Sequence, residues 1–495
     1  MRTDQPRAGR ALALVCVIYF MVILDSAIVR LAIPVIQRHL GLSAAGETWV
    51  ANGYMLAFGS LLLLGGRLAD LYGRRRLLLL GLLLFTLASL ACGLARSGGE
   101  LIAARVIQGL GAAAMTPAAL SSLMCLFPDG PHRGRALGRW AASGGAGATA
   151  AWLIGGPLVD GLGWQWVFWI NVPIGAGLAV LALRLLSETR GADVPRSFDL
   201  PGAASITAGL AVLTYAIVTA PVAGWASPQT ALLAVTGIAL LVAFAVIEVR
   251  SPAPLVPRRI ARSRGLLIAN IGLGGAMATV YGTVFVFALY GQVVLGWSAL
   301  RLGLAGTVMP VAAAAGSVLG PRLVARHGAK AVSICAMAAL GGAVWLLTGL
   351  PVRGGYLTRT VPALTVFGLG LGAAATAYSI TTLAGVQPDD AGLAAGLNNT
   401  FESIFGVIGT ALMASVALSR TGALLHHGAS QAAANDGGVR FAFAVALVFP
   451  LLSIGASALL GRRGRTRFRA QSAEGGRESG RSRAFNRPPA AGPGS

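Results

Sequence analysis

The chain is built from apolar blocks of about 20 residues separated by short polar segments. Coiled as an α-helix, a block of this length spans roughly 30 Å, the thickness of the hydrocarbon core of a bilayer. Hydrocarbon offers no hydrogen-bond partner to the backbone, so these blocks must be helical. Only 11% of the 495 residues are charged, too few for the surface of a soluble protein of this length. We therefore predict an all-α polytopic membrane protein.

Fourteen such blocks can be placed, which predicts two six-helix halves with two extra helices between them. The predicted spans are 11–33, 48–69, 77–96, 101–125, 137–160, 166–186, 202–221, 229–248, 265–290, 300–321, 331–350, 360–382, 393–417 and 441–461. The predicted divisions are an N-terminal tail (1–10), a first half (11–186), the extra pair with its loops (187–264), a second half (265–461) and a basic tail (462–495). The last segment is rich in Arg, Gly, Ser and Pro and is predicted to be disordered.

The distribution of basic residues predicts the orientation. An even number of spans places both termini on one side of the membrane. Few of the 39 Lys and Arg residues fall in loops on the other side, and those are Arg38, Arg96, Arg301, Arg353, Arg359, Arg420 and Arg440. The positive-inside rule therefore predicts cytoplasmic termini in the inner (plasma) membrane. Basic loops beside anionic lipid also explain the net charge of +22 without a nucleic-acid partner.

A short basic turn recurs once in each predicted half. Residues 65–76 read GGRLADLYGRRR, and residues 320–330 read GPRLVARHGAK. At constant spacing, Gly73 aligns with Gly328 and Arg75 with Lys330. Parallel repeats of this kind occur in transporters, whose substrate sites lie between the repeats near the midplane of the bilayer.

Five stretches together resemble the major facilitator superfamily, and in particular its 14-helix drug:proton antiporters. They are LDSAIVRLAIP (24–34), WVANGYMLAFG (49–59) continuing to residue 76, LIAARVIQGLGAAAMTPAAL (101–120), WQWVFWINVPIG (164–175) and LYGQVVLGWSALRLGL (289–304). The resemblance implies a major facilitator fold and export of hydrophobic or amphipathic drugs or antibiotics in exchange for protons. It implies no cofactor or metal, and we expect a monomer.

The sequence departs from the family pattern at three positions. In the fifth helix, Trp152 and the residue before it replace an expected Gly-Pro, although Gly155 and Gly156 of the antiporter motif are present. Arg30 stands where the family has a small polar residue. Glu402 stands where an uncharged or basic residue is expected. The first departure weakens the inference of antiport.

Burying an ionisable group in a membrane costs at least a few kcal/mol, so Asp25 and Arg105 require an explanation. A carboxylate that is buried in one state and wetted in another can carry a proton. The alternatives for Asp25 are a permanent ion pair and a position near the outer interface. The resemblance links Arg105 to proton coupling, while a guanidinium bonded to nearby backbone is the alternative for it.

The other candidates are charges near the cavity and the first basic turn. Glu402, with Arg30 as a further charge, could line the cavity, or Glu402 could reach the lipid headgroups. The resemblance implies that the first turn is a cytoplasmic gate in which Asp70 contacts a helix N-terminus of the other half. A plain solvated turn is the alternative. The gate residues are Gly66, Asp70, Gly73, Arg74 and Arg75.

Competing functions follow from the same residues. A dedicated exporter of one natural product made by the host would carry the same features, and the altered fifth-helix motif leaves room for a facilitator without proton coupling. An enzyme is disfavoured because no nucleophile elbow, metalloprotease motif or nucleotide-binding loop is present.

Overall fold

The computed structural model describes residues 5–127, 130–189, 200–251, 263–349, 356–383 and 391–460, where all regular structure is helical. The helices are α1 (Gln5–Leu40), α2 (Ala44–Tyr72), α3 (Arg74–Leu94), α4 (Gly98–Leu126), α5 (Gly130–Gly161), α6 (Trp166–Trp169), α7 (Asn171–Leu185), α8 (Leu200–Ala223), α9 (Pro228–Arg250), α10 (Arg264–Leu289), α11 (Ala299–Gly306), α12 (Val308–His327), α13 (Ala329–Thr348), α14 (Val361–Leu383), α15 (Ala391–His426), α16 (Gln431–Ala446) and α17 (Val448–Ala458). Tyr290–Val294 extends α10, and Tyr356–Thr360 precedes α14, each as a π-helical turn.

Within the described ranges, 12 segments are long and apolar enough to cross a membrane. Some of them join two consecutive helices, such as α11 with α12 and α16 with α17. The α2 and α5 helices, with 29 and 32 residues, are not among the 12. The all-α membrane fold is confirmed, whereas the count of fourteen spans stays a prediction.

Three segment boundaries differ from those predicted from the sequence. The α1 helix already begins at Gln5, within the predicted N-terminal tail, because Pro6 is tolerated in the first turn, where its missing N–H needs no partner. The predicted outer loop 418–440 is largely helical, since α15 continues to His426 and Ser430 caps α16. Hydropathy marks where a helix leaves the hydrocarbon and not where its hydrogen bonding ends. The predicted basic tail, 462–495, lies outside the described residues.

Glycines set the distances between helices in the first half. A Cβ added to Gly109 of α4 would lie 2.5 Å from the carbonyl oxygen of Tyr54 in α2. One added to Gly81 of α3 would lie 2.7 Å from the carbonyl oxygen of Gly111 in α4. Membrane helices associate through such close contact, because lipid is as apolar as their side chains. The abundance of Gly thus serves helix packing here.

The α8–α9 pair lies against both predicted halves. Thr207 of α8 donates a hydrogen bond to the Ser60 carbonyl of α2 at 3.2 Å. Trp225, just after α8, donates through Nε1 to the Ser415 hydroxyl of α15 at 3.0 Å. The α9 helix packs on α8. The extra pair therefore covers the line where α2 and α15 meet.

The two basic turns share one geometry. Gly73 ends α2 and begins α3 with φ 111°, and Gly328 ends α12 and begins α13 with φ 87°. Arg75 donates through Nη2 to the Leu183 carbonyl near the end of α7, at 2.9 Å. Lys330 donates to the Ala458 carbonyl at the end of α17. In each half the basic residue satisfies a carbonyl at a helix C-terminus, where the helix dipole favours a cation.

Candidate functional site

The first half contains a buried ion pair between Asp25 of α1 and Arg105 of α4. Arg105 Nη1 lies 2.7 Å from Asp25 Oδ2, and the Arg105 and Asp25 side chains are 1% and 0% exposed. The structure thus brings together the two residues that the sequence predicts for proton coupling. Their burial within the protein leaves the depth of Asp25 in the membrane a prediction.

Two neutral side chains complete the ion pair. The amide nitrogens of Gln108 (α4) and Asn171 (α7) donate to Asp25 Oδ1 at 2.8 Å and 2.7 Å. The Gln108 oxygen accepts from Arg105 Nη1 at 2.6 Å, and its nitrogen also donates to the Ser89 hydroxyl at 2.8 Å. Asp25 therefore receives three N–H donors, which suits an ionised carboxylate because that group can only accept.

The Arg105 side chain is also fixed by groups outside this cluster. Its Nε donates to the Val50 carbonyl at 3.1 Å. Its guanidinium carbon lies 4.3 Å from the ring centre of Tyr54 and 5.7 Å from that of Phe168. The charge is thus held by a carboxylate, an amide, a carbonyl and two rings, all of them buried. A permanent ion pair would have this arrangement, and a proton carrier would adopt it in its ionised state.

Sequence reasoning missed Gln108, Asn171 and Ser89. Gln108 follows Arg105 by three residues, so the two share a face of α4, which was the available signal. Asn171 lies in the WQWVFWINVPIG stretch, where an amide within an apolar run could have been singled out. Neutral amides carry no charge that has to be explained within an apolar span, and for that reason neither was singled out.

A narrow cavity lies between the halves, with Glu402 of α15 in its wall. Its volume is about 20 Å³, enough for roughly one water molecule. The lining residues are Tyr19, Val22, Ile23, Ser26, Tyr54, Met55, Phe58, Tyr281, Asn399, Glu402 and Ser403. Of the two sequence-based alternatives for Glu402, the cavity position is the one found. Within the described chain, Glu402 forms no hydrogen bond or ion pair.

Arg30 reaches across to the second half. Its guanidinium carbon lies 4.1 Å from the ring centre of Tyr281 in α10, which is a cation–π contact between the halves. Its buried Nε has no hydrogen-bond partner among the described residues. Asp25 pairs with Arg105 and not with Arg30, as the five-residue spacing predicts.

The altered fifth-helix motif lies at a second contact between the halves. Gly155 faces Ile28 of α1, and Gly156 faces the backbone of Leu300 in α11. Trp152 is 6% exposed, and its indole fills the space beside Gly306. The large side chain that replaces the expected Gly-Pro is therefore accommodated by a glycine of the other half.

A hydrogen bond closes this contact at the end of the bundle opposite the basic turns. The Leu300 N–H donates to Asp160 Oδ2 at 2.9 Å. The bond joins the last turn of α5 to the first turn of α11, where an acidic side chain is favourable at a helix N-terminus. At this end the two halves are joined by the contact between α5 and α11.

The described contacts of Arg75 and Arg76 in the first basic turn lie within its own half. Glu188, after α7, accepts from the Arg75 backbone N–H at 3.2 Å and lies 3.7 Å from Arg76 Nε. Arg74 contacts Cys125 Sγ. Gly66 lies in α2 beside Pro117. The Asp70 side chain lies outside the described part of the chain, so its contact with the other half stays a prediction.

Comparison with known proteins identifies the family. Residues 15–410 match the Major Facilitator Superfamily. The chain is 38% identical over 450 residues to the puromycin resistance protein pur8 of Streptomyces alboniger, covering 90% of this chain and 88% of that protein. It is 39% identical over 420 residues to the cephamycin export protein CmcT of Amycolatopsis lactamdurans, covering 84% and 86%.

The fold is likewise shared with solved transporters. A bacterial homologue of the human lysosomal transporter Spinster superposes with a TM-score of 0.66 at 18% identity, covering 92% of this chain and 98% of that structure. At this identity the likeness shows the fold alone. Together with the match over most of the sequence, it establishes that the chain belongs to the major facilitator superfamily.

Proposed function

We propose that the protein exports hydrophobic or amphipathic drugs or antibiotics from the cell in exchange for protons. The observation that carries this proposal is a buried, fully hydrogen-bonded Asp25–Arg105 pair next to a cavity between the halves. Tyr54 links the two, because its ring contacts Arg105 and also lines the cavity. Relatives named for puromycin resistance and cephamycin export support the class of substrate.

The proposed topology has fourteen spans with both termini in the cytoplasm. The α2 and α5 helices complete the count, since each is long enough to cross a bilayer and packs along a helix that qualifies as a span, α4 and α1 respectively. The arginines of the first turn face the cytoplasm under the positive-inside rule. The α5–α11 contact then closes the outer side of the cavity.

The proposed cycle uses the protonation of Asp25 to loosen the ion pair. A neutral carboxyl group attracts the Arg105 guanidinium far less, so protonation frees Arg105 and the Tyr54 ring that it contacts. The halves then rock about the cavity and expose it to the other side. Loss of the proton to the cytoplasm restores the ion pair, and the carrier then returns to the outer side with a bound drug, so that proton and drug move in opposite directions.

Replacing Asp25 with Asn tests this proposal in liposomes with purified protein. We expect Asp25→Asn to abolish drug movement driven by a pH gradient while retaining drug binding, because the amide keeps the shape but cannot carry a proton. Asp436→Asn is the control, since that carboxylate pairs with Arg440 within α16 and does not line the cavity. Undiminished gradient-driven transport by Asp25→Asn would remove this residue from the mechanism.

A further inference from the structure

We infer that the turn between α8 and α9 ties the two halves together on the proposed outer side, through a hydrogen bond from Trp225 to Ser415. The tie gives the extra helix pair a role, because α8 is anchored to the first half and Trp225 reaches from it to the second. It has to break each time the outer side opens. It goes beyond the proposed function, since it concerns how the halves part and holds for any transported molecule.

The α8 helix is anchored to α2 of the first half at two levels. Thr207 donates to the Ser60 carbonyl at 3.2 Å. About two turns further along α8, the ring centre of Tyr215 lies 5.4 Å from that of Trp49, near the start of α2. Two points of contact along its length fix α8 on α2, so α8 moves with the first half.

The turn that carries Trp225 is fixed by its own hydrogen bonds. Ser227 caps α9, because its hydroxyl oxygen accepts from the Thr230 N–H at 3.2 Å. The Thr230 hydroxyl donates to the Gly224 carbonyl at 2.9 Å. Gly224 itself has φ 95°, a conformation that turns the chain at the end of α8. The Trp225 side chain therefore extends from a backbone that is held at the end of α8.

The Trp225 indole crosses from this turn to α15 of the second half. Its Nε1–H donates to Ser415 Oγ at 3.0 Å. Ser415 is 2% exposed and Trp225 is 49% exposed, so the bond joins a surface turn to the interior of the other half. The α8 helix also packs on α15. Van der Waals contact lets helices slide, whereas a hydrogen bond requires one distance and one direction, so the indole is the point that resists separation.

Two ties then lie at the end of the bundle opposite the basic turns, one on each line where the halves pack. The bond from the Leu300 N–H to Asp160 lies between α5 and α11. The bond from Trp225 to Ser415 lies beside the line where α2 meets α15. A rocking movement that opens this end has to separate both contacts. Half of the Trp225 surface is open to solvent, so water can replace its partner and the tie can break and re-form in each cycle.

Labelling of a cavity cysteine from outside tests the tie, in full-length protein that carries Ser26→Cys and has its four native cysteines replaced. Trp225→Phe keeps an aromatic ring but removes the N–H donor, and Ser415→Ala removes the acceptor. We expect each change to raise the rate of labelling by a membrane-impermeant maleimide about two- to tenfold, because one hydrogen bond no longer opposes opening. The double variant should label no faster than the single variants, since all of them remove the same bond.

Thr207→Val is the matched control, because it removes a hydrogen bond of the same kind within one half. It should label at the rate of the Ser26→Cys parent, as should Trp345→Phe, which changes an exposed indole on α13. Parental rates in Trp225→Phe and Ser415→Ala, or a double variant in which the two effects multiply, would overturn the tie. Acceleration by Thr207→Val as large as that by Trp225→Phe would overturn the anchoring of α8 to the first half.

The same assay deals with misfolding and with orientation. Ser415→Ala is the smaller change, so if Trp225→Phe does not fold, a parental rate in Ser415→Ala refutes the tie by itself. Acceleration only by maleimide on the cytoplasmic face would keep the tie and refute the proposed orientation. Labelling requires no transported molecule, so a failure of the proposed drug export leaves this result unchanged.

Discussion

At the scale of single residues, the Asp25 cluster depends on neutral amides as much as on the opposite charge. Asn171 and Gln108 come from different helices and share the same oxygen of Asp25. In a water-free interior, a carboxylate that loses a donor bears the cost of the unsatisfied charge. Asn171 therefore acts as a positioning residue, tying α7 to α1 through the carboxylate.

Replacing Asn171 with Leu should destabilise the protein by about 1–3 kcal/mol, because Asp25 loses one donor. Thermal unfolding in detergent measures the change. Asn270→Leu is the matched control, since Asn270 is equally buried but donates only to the Leu266 carbonyl of its own helix. In an Asp25→Asn background the extra cost of Asn171→Leu should largely disappear. Equal costs in both backgrounds would show that Asn171 does not act through the carboxylate.

The charged members of this cluster were predicted from the sequence and its neutral members were not, for a physical reason. Charges in an apolar span are conspicuous because they are costly, so Asp25, Arg105 and Glu402 could be found by composition alone. Which of these residues would form an ion pair could not be predicted in this way. Pairing depends on how helices that are distant in the sequence pack together. No local periodicity encodes that Glu402 faces a cavity while Asp25 faces an arginine.

At the scale of secondary-structure elements, the repeated basic turn was predictable because its glycines and basic residues recur in order. Its geometry explains why the glycines recur, since Gly73 and Gly328 both adopt positive φ values that other residues rarely adopt. The partner of the first turn was not predictable. Glu188 comes from a loop more than a hundred positions away, and nothing near it in the sequence marks it as a contact.

Comparing alanine substitutions at the two turn glycines tests this view of the repeat. Both Gly73→Ala and Gly328→Ala should cost about 1–3 kcal/mol from backbone strain alone. Gly73→Ala should cost more, because its Cβ would collide with the Glu188 carboxylate, whereas open space surrounds the Cβ position at Gly328. Unfolding temperatures of the two variants give the comparison. Adding Glu188→Ala should bring Gly73→Ala level with Gly328→Ala, and a persistent gap would point to another cause.

At the scale of the whole molecule, the two halves pack along α2 with α15 and along α5 with α11, and two contacts between them involve residues that depart from the family pattern. Arg30 stacks on Tyr281, and Trp152 fills the space beside Gly306. The departures from the family pattern at Arg30 and Trp152 thus lie at the interface between the halves, where each contacts a residue of the other half. A substitution that looks unfavourable within one helix is accommodated by the helix opposite.

The fit of Trp152 against Gly306 makes opening of the proposed outer side depend on the size of the side chain at residue 306. Gly306→Val should collide with the indole and push α11 from α5, so that the end of the bundle at this contact, the proposed outer side, opens more often. A cysteine at Ser26, which lines the cavity, should then react faster with a membrane-impermeant thiol reagent added outside, in protein whose four native cysteines are replaced. Adding Trp152→Ala should return labelling towards the starting rate, because the smaller side chain leaves room for valine. Unchanged labelling in Gly306→Val would contradict the view that the Trp152 indole packed against Gly306 holds this interface closed. Equal labelling of Gly306→Val with and without Trp152→Ala would contradict it as well.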